Sequence, residues 1–302
     1  MILNDFYTTE WLPYQTARLR ENTLTGYESA WRLHIQPRFG GMEMEDIRRK
    51  DVEEWAQSLD SAGAANKAWA VLRSILRKAV RWEALEFDRF AGGVDLPKLE
   101  HKESPWLQPS DLRQLLAGFF GHQLEAWLLV SATLGLRREE GLALEWSDID
   151  LKRGIVHITK GLQWVNGHEL LVEPKTALSK RDLALGPLVK RRLKEIKKTT
   201  NARGRLIGDL NPLQVARQYK TFCQKNGLPY VPAMNLRTTW ATNALKASID
   251  ISIVAKCLGH SNIQTTARYY LMQDIEVLRD TAVIWENKIL KENGIWSYGR
   301  AA

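Results

Sequence analysis

Apolar residues recur at helical spacing along most of the chain. After Thr23, placed to cap a helix, Leu24, Tyr27, Trp31 and Ile35 share one face until Pro37 and the pair Gly40 and Gly41 interrupt the pattern. Val52, Trp55 and Leu59 predict a second helix. Beyond a break at Gly63, Trp69, Leu72, Leu76, Ala79 and Val80 predict a third. Together these elements predict a small helical domain over residues 1–91. The period is then lost in a stretch rich in Gly, Pro and charge that includes Gly92, Gly93, Pro97 and Pro105, so residues 92–106 are read as a linker.

A second domain over residues 107–302, ending in a helical tail, is expected from the pattern that follows. Ser110 and Asp111 can cap a helix starting at Leu112, and the apolar run 123–134 reads as a buried helix stopped by Gly135. Val156 and Ile158 alternate with Ile155, His157 and Thr159. Asn166-Gly167 is a two-residue hairpin signal ahead of residues 169–172. Helical period returns at 188–198, 213–226, 236–247 and 251–258. The predicted fold class is mainly α with a small antiparallel β-sheet, a helical domain followed by a larger mixed one.

Composition narrows the function classes. The chain has 302 residues, 44% hydrophobic and 26% charged, which suits about two folded domains rather than a disordered protein. A net charge of +8 and a pI near 9.4 favour a polyanionic partner, nucleic acid first and an acidic membrane surface second. Cys223 and Cys257 are too few for a disulfide framework and form no metal-binding pair with histidine, so a reducing cytosol fits. Asp5 and Glu10 break the N-terminal apolar run, and no segment reaches the ~18 apolar residues of a membrane span. A cytoplasmic protein in a bacterial host, without a membrane partner, is expected.

Four separated segments carry the chemistry. The first runs Thr133-Leu134-Gly135-Leu136-Arg137-Arg138-Glu139-Glu140 and ends Leu144-Glu145-Trp146-Ser147-Asp148-Ile149-Asp150. The second is Pro174-Lys175-Thr176, followed by Ser179-Lys180-Arg181. The third is Asn235-Leu236-Arg237-Thr238-Thr239-Trp240-Ala241-Thr242. The fourth is Leu258-Gly259-His260-Ser261-Asn262-Ile263-Gln264-Thr265-Thr266, leading to Arg268-Tyr269-Tyr270. Alone, each has a bland reading: a surface arginine at a helix start, a solvated lysine in a turn, a histidine at a capped helix end. In order, they resemble the boxes of the tyrosine recombinase or phage integrase family: G-x-R-x-x-E with L-x-W-x-D-I-D, a β-hairpin lysine, H-x-L-R-H-T-F-A-T, and L-G-H-S with T-T and a tyrosine. Tyr269 lies at the family's commonest spacing from His260. Met234 stands where the family most often has histidine.

The resemblance implies catalytic roles for Arg137, Lys175, Arg237, His260 and Tyr269, with neither metal nor other cofactor. Two guanidiniums suit the nonbridging oxygens of a phosphodiester, since each is a planar, permanently charged fork. A phenol forms a phosphotyrosine ester that keeps the energy of the broken bond, so no ATP is needed. The resemblance gives Lys175 the proton donated to the leaving hydroxyl, while His260 can hydrogen-bond the phosphate. Glu140, one helical turn beyond Arg137, either orients another catalytic side chain or forms a structural salt bridge. With Met234 unable to accept a proton, water or an acidic group such as Glu140 is left to take the one from tyrosine.

The helical domain resembles the family's core-binding domain, which makes Arg18, Arg20, Arg32, Arg48, Arg49 and Lys50 candidate phosphate contacts. Double-stranded DNA with core-type sites, a homotetramer on two duplexes and a directionality factor are the implied partners. Integration or excision of a phage or mobile element is the implied role. An apolar stripe of Val277, Ala282, Ile284 and Ile289 marks 275–290 for packing on a neighbouring subunit or on its own chain. Two alternatives stand: a type IB-like topoisomerase, sharing the same residue set, and a catalytically impaired DNA-binding relative.

Overall fold

The computed structural model describes residues 1–100, 104–174, 179–200 and 202–267, which fall into two compact units: the described residues up to 100 together with Val165–Gly167, and the rest from Ser104 onward. In the first unit, two helical runs each contain one widened turn. Leu3–Phe6 continues through a π turn, Tyr7–Trp11, into Leu12–Thr16; Glu21–Ala30 continues through Trp31–Ile35 into Gln36–Phe39. A proline, Pro13 or Pro37, is the second residue after each π turn. Proline lacks an N–H and its ring crowds the carbonyl four residues back, which a wider turn accommodates. The amides just before the prolines reach back five residues, Leu12 N–H to the Tyr7 carbonyl and Gln36 N–H to the Trp31 carbonyl. Pro37 therefore does not stop the helix, which runs to Phe39. That helix also starts at Glu21, ahead of Thr23.

Helices Arg49–Ser58 and Ala62–Arg81 complete this unit. The Ser61 Oγ accepts from the Ala64 N–H at 3.1 Å, so Gly63 sits in the first helical turn rather than at a break. Trp31, Trp55 and Trp69 lie in the core with Trp11, Phe39 and Leu72. Tyr7 stacks on Trp31 with centroids 3.8 Å apart. The segment read as linker stays attached at its start: Val94 and Leu96 pack against the core, and Asn66 Nδ2 donates to the Pro97 carbonyl at 3.0 Å.

The second unit starts with helix Pro109–Gly118, three residues earlier than the cap signal suggests, because a proline needs no amide partner in the first turn. Helix Glu125–Leu134 is buried along most of its length and ends at Gly135, with φ +63°. Its one buried carboxylate, Glu125, receives Arg192 through bonds of 2.6 and 2.9 Å. The short helix Arg138–Ala143 leads into β1 (Ile149–Asp150), β2 (Ile155–Ile158), β3 (Gly161–Val165), β4 (His168–Val172) and β5 (Arg181–Ala184). β1, β2 and β5 form an antiparallel sheet in that order, with Val156 opposite Leu183 and Ile158 opposite Arg181. β3 and β4 form the hairpin expected at Asn166-Gly167, both residues having positive φ as its primed turn requires. Helices Pro187–Thr200, Pro212–Lys225, Asn235–Lys246, Ile251–Leu258 and Ile263–Ala267 follow. Among the described residues, no helix is long and apolar enough to cross a membrane.

Candidate active site

The site is organised around the C-terminal end of one short helix, Ile251–Leu258, which starts from an Asp250 cap and ends at Gly259 with φ +65°. A helix end leaves carbonyls without intrahelical partners. Here three successive carbonyls are each taken by a different arginine. Arg181 Nε donates to the Cys257 oxygen at 2.6 Å, Arg237 Nη2 to the Leu258 oxygen at 2.7 Å, and Arg137 Nη2 to the Gly259 oxygen at 3.0 Å. The negative end of the helix dipole adds to the attraction for these cations. Residues distant in sequence thus converge on one turn of backbone.

Each arginine reaches this turn from a rigid element. Arg137 precedes helix Arg138–Ala143, just beyond the left-handed Gly135, where a Cβ would sit 2.6 Å from the Trp240 ring. Arg237 lies in the first turn of helix Asn235–Lys246, and its Nη1 also donates to the Gly135 oxygen at 3.0 Å. That helix is laced to the segment 105–107 by a stripe of polar side chains at i, i+4 and i+8. Asn235 donates to the Pro105 carbonyl, Thr239 accepts from the Leu107 N–H, and Asn243 donates to the Leu107 carbonyl, at 3.0, 3.1 and 3.0 Å. Arg181 opens β5, paired with Ile158.

Glu140 joins two of the three arginines. Its Oε1 accepts from Arg137 Nη1 at 2.8 Å and Arg181 Nη1 at 2.9 Å; its Oε2 accepts from the Arg137 backbone N–H at 2.8 Å and Arg181 Nη2 at 2.9 Å. Burial pushes this carboxyl upward, but Arg181 and then Arg137 outweigh it and hold it below the ordinary glutamate value. With four donors on two oxygens, Glu140 has no lone pair to spare for a tyrosine proton. Of the alternatives left by the sequence, orienting another side chain is the one this geometry supports.

His260 follows the helix end directly. Its Nε2 lies 2.8 Å from Arg237 Nη2, and since a guanidinium can only donate, Nε2 must be the acceptor. Nδ1 then carries the proton, which it donates to the fully buried Thr266 Oγ1 at 2.8 Å. The ring is neutral: burial, then the charges of Arg237, Arg137 and Arg181, push its pKa down to about 4. Three guanidiniums against one carboxylate leave a compact cationic centre suited to a bound phosphate.

Arg137, Glu140, Arg237 and His260 are therefore brought together. Lys175, between β4 and β5 in sequence, and Tyr269, Tyr270 and 275–290 lie outside the described residues. Met234 immediately precedes the Arg237 helix and is 66% exposed. Arg18, Arg20, Arg32, Arg48, Arg49 and Lys50 are all on the surface of the first unit. Arg48 and Lys50 each reach an acidic neighbour, Asp51 and Glu54, at 3.7 Å. Arg181 is the residue that sequence reasoning passed over, although it stands inside the hairpin motif, two residues after Ser179.

Residues 105–276 match the model of the phage integrase family, and residues 3–59 match its N-terminal SAM-like domain. The chain is similar to a XerC-like tyrosine recombinase of Caldanaerobacter subterraneus subsp. tengcongensis, at 24% identity over 82% of this chain and 73% of that one. It shares its fold with the Tn1549 transposon integrase bound to transposon right end DNA, with a TM-score of 0.78, 18% identity, and coverage of 93% of this chain and 98% of that one. A lambda integrase tetramer bound to a Holliday junction is similar in fold, with a TM-score of 0.68 and 18% identity over 89% of this chain and 77% of that one.

Proposed function

The chain belongs to the phage integrase family, as a site-specific tyrosine recombinase that cleaves and rejoins DNA, and we propose that it does so through Tyr269. In this reading the Tyr269 oxygen attacks the scissile phosphorus and forms a 3′-phosphotyrosine ester while the bond to the 5′-oxygen breaks. Lys175 supplies the proton to that departing oxygen. Arg137 and Arg237 hold the nonbridging oxygens through the build-up of charge, and the neutral His260 keeps Arg237 aimed. The tyrosine proton passes to water, since Glu140 is saturated and Met234 cannot accept it. Attack by a 5′-hydroxyl of a second strand reverses the step and completes the exchange.

The observation that carries this reading is the convergence of three guanidiniums on carbonyls 257–259, with His260 bonded to Arg237 beside them and Thr266 tying the chain that leads to Tyr269 back to His260. The DNAs bound by the compared proteins, a transposon right end and a Holliday junction, support core-type DNA sites as this chain's substrate. They also support a homotetramer on two duplexes and a role in integrating or excising a mobile element. Arg18, Arg20, Arg32, Arg48, Arg49 and Lys50, all exposed on the first unit, are then contacts to phosphate, with a directionality factor as a further partner.

The test is to incubate the chain with a duplex library of random sequence, trap covalent adducts with detergent and sequence the bound DNA. Tyr269→Phe should abolish the adduct and leave DNA binding nearly unchanged, whereas Tyr270→Phe should retain cleavage. The reverse pattern overturns the nucleophile. Exchange between two duplexes separates recombination from relaxation by a topoisomerase, and absence of any native adduct points to an impaired relative.

A further inference from the structure

We infer that Arg181 is a positioning residue for DNA cleavage: by gripping Glu140 and the Cys257 carbonyl together, it fixes the geometry of Arg137 and leaves Arg137's charge available to the phosphate. This rests on the reading of the site given above, with Arg137 on a nonbridging oxygen.

Four contacts place Arg181. Its guanidinium meets both Glu140 oxygens at 2.9 Å, the Cys257 oxygen at 2.6 Å and the Ser179 oxygen at 3.1 Å. The side chain is only 8% exposed, whereas Arg137 is 34% exposed. Arg237 is as deeply buried, so what sets Arg181 apart is its bonding: both ends of its fork lie on one carboxylate and its remaining bonds go to main-chain carbonyls, which makes it structural support. Its effect runs through Glu140. That carboxylate binds the Arg137 main chain with one oxygen and the Arg137 side chain with the other, so it sets both where Arg137 starts and where its head points. Without Arg181, a buried carboxylate would have Arg137 as its only fork, and Arg137 would be drawn onto Glu140 and partly neutralised. Arg181 also reaches across to the helix end that presents His260, joining β5 to the turn on which Arg137 and Arg237 rest.

This arrangement has a consequence in pH. The charged and titratable groups around Glu140 are Arg137 at the start of its own helix, Arg181 from β5, and His260; in the native chain Glu140, held below the ordinary glutamate value, and His260, pushed down to about 4, keep one charge state across the working range. Arg181 is the strongest influence opposing the burial of the Glu140 carboxyl. Removing it leaves burial to push that carboxyl upward, so it should take up a proton as the pH falls and release its hold on Arg137.

The experiment is single-turnover cleavage of a nicked duplex bearing the sequence recovered from the native chain's own adducts, from pH 5.5 to 8.5. The full-length native chain is compared with Arg181→Met, Arg181→Lys and the double variant Glu140→Gln/Arg181→Met. A misplacement of about 1 Å costs on the order of 10²-fold in rate. Arg181→Met should therefore cleave about that much more slowly at neutral pH, with affinity for the duplex within about twofold of native. Its rate should fall further on the acid side relative to native. Arg181→Lys should recover only part of the rate. The double variant should lose the added acid limb, because it has no carboxyl to protonate, and because both buried charges are removed it should fold even where the single variant does not. Unchanged rate and pH profile in Arg181→Met overturns the inference. So does a slow double variant that keeps the same acid limb. Failure of the native chain to form an adduct would sink the functional reading instead.

Discussion

Lysine in place of Arg137 or Arg237 keeps the charge and removes the fork. Each guanidinium is bonded to protein groups through both terminal nitrogens: Arg137 to Glu140 and the Gly259 carbonyl, Arg237 to two carbonyls and His260. An ammonium cannot hold those partners and a phosphate oxygen in one plane. Either Lys variant should cleave slower by on the order of 10²–10³ while still binding DNA, the cost of losing one oriented donor at an oxyanion. Native cleavage kinetics in both would remove the clamp. Met234 poses a separate question, since its exposed thioether lies at the start of the Arg237 helix and accepts no proton. A histidine there would be solvated and titrate near its ordinary value of about 6.5. Met234→His should thus match the native rate below that pH, and equal or exceed it above, where the ring becomes a free base. General-base help is worth about 10²–10⁴-fold where it operates. A native chain that forms no adduct on its selected DNA, beside a histidine variant that does, would show that catalysis here depends on the missing base.

At the scale of elements, Gly135 joins two requirements, a left-handed backbone and the absence of a Cβ against Trp240. Gly208 has the same φ of +63° with nothing near its missing Cβ. Gly208→Ala should cost only the strain of that conformation, about 1–2 kcal/mol. Gly135→Ala adds overpacking and should cost about 2–5 kcal/mol in all. It should also slow cleavage, since the Gly135 carbonyl holds Arg237. Denaturant midpoints of the two variants check this, and equal losses would count against the role of Trp240. Gly135 as a helix stop, the Asn166-Gly167 hairpin and the helix over 251–258 were all legible in the sequence, because each is governed by local backbone chemistry or a single apolar period. The passage of helices through Pro13 and Pro37 was not, since a π turn leaves no mark in the 3.6-residue pattern that precedes it. Arg181 was missed for a different reason. Its partners, Glu140 and Cys257, are 41 and 76 residues away, and a guanidinium buried by tertiary contacts looks in sequence like any charge at the start of a strand.

For the whole molecule, the proposed tetramer could deliver each tyrosine to its own chain's arginines or to a neighbour's, and chain length bears on which. Thr266 is fully buried and bonded to His260 of its own chain, beside Arg237. Position 269 is three steps along the chain from it, and three extended steps span at most about 10 Å. That tether is of the order of the site itself and short against the distance between active sites in an assembly of 34.6 kDa subunits. Cleavage is therefore expected in cis. The test mixes two inactive proteins, Tyr269→Phe and Arg237→Ala, on a nicked duplex bearing the selected site. Acting in cis, every protomer with a tyrosine lacks the arginine beside it, and the mixture forms no more adduct than the two proteins alone. Acting in trans, a mixed assembly contains intact composite sites made from the tyrosine of one protein and the arginine of the other. Adduct that appears only on mixing, and rises with the proportion of mixed assemblies, would mean that the segment beyond Thr266 crosses between subunits and that the His260–Thr266 bond does not confine the nucleophile.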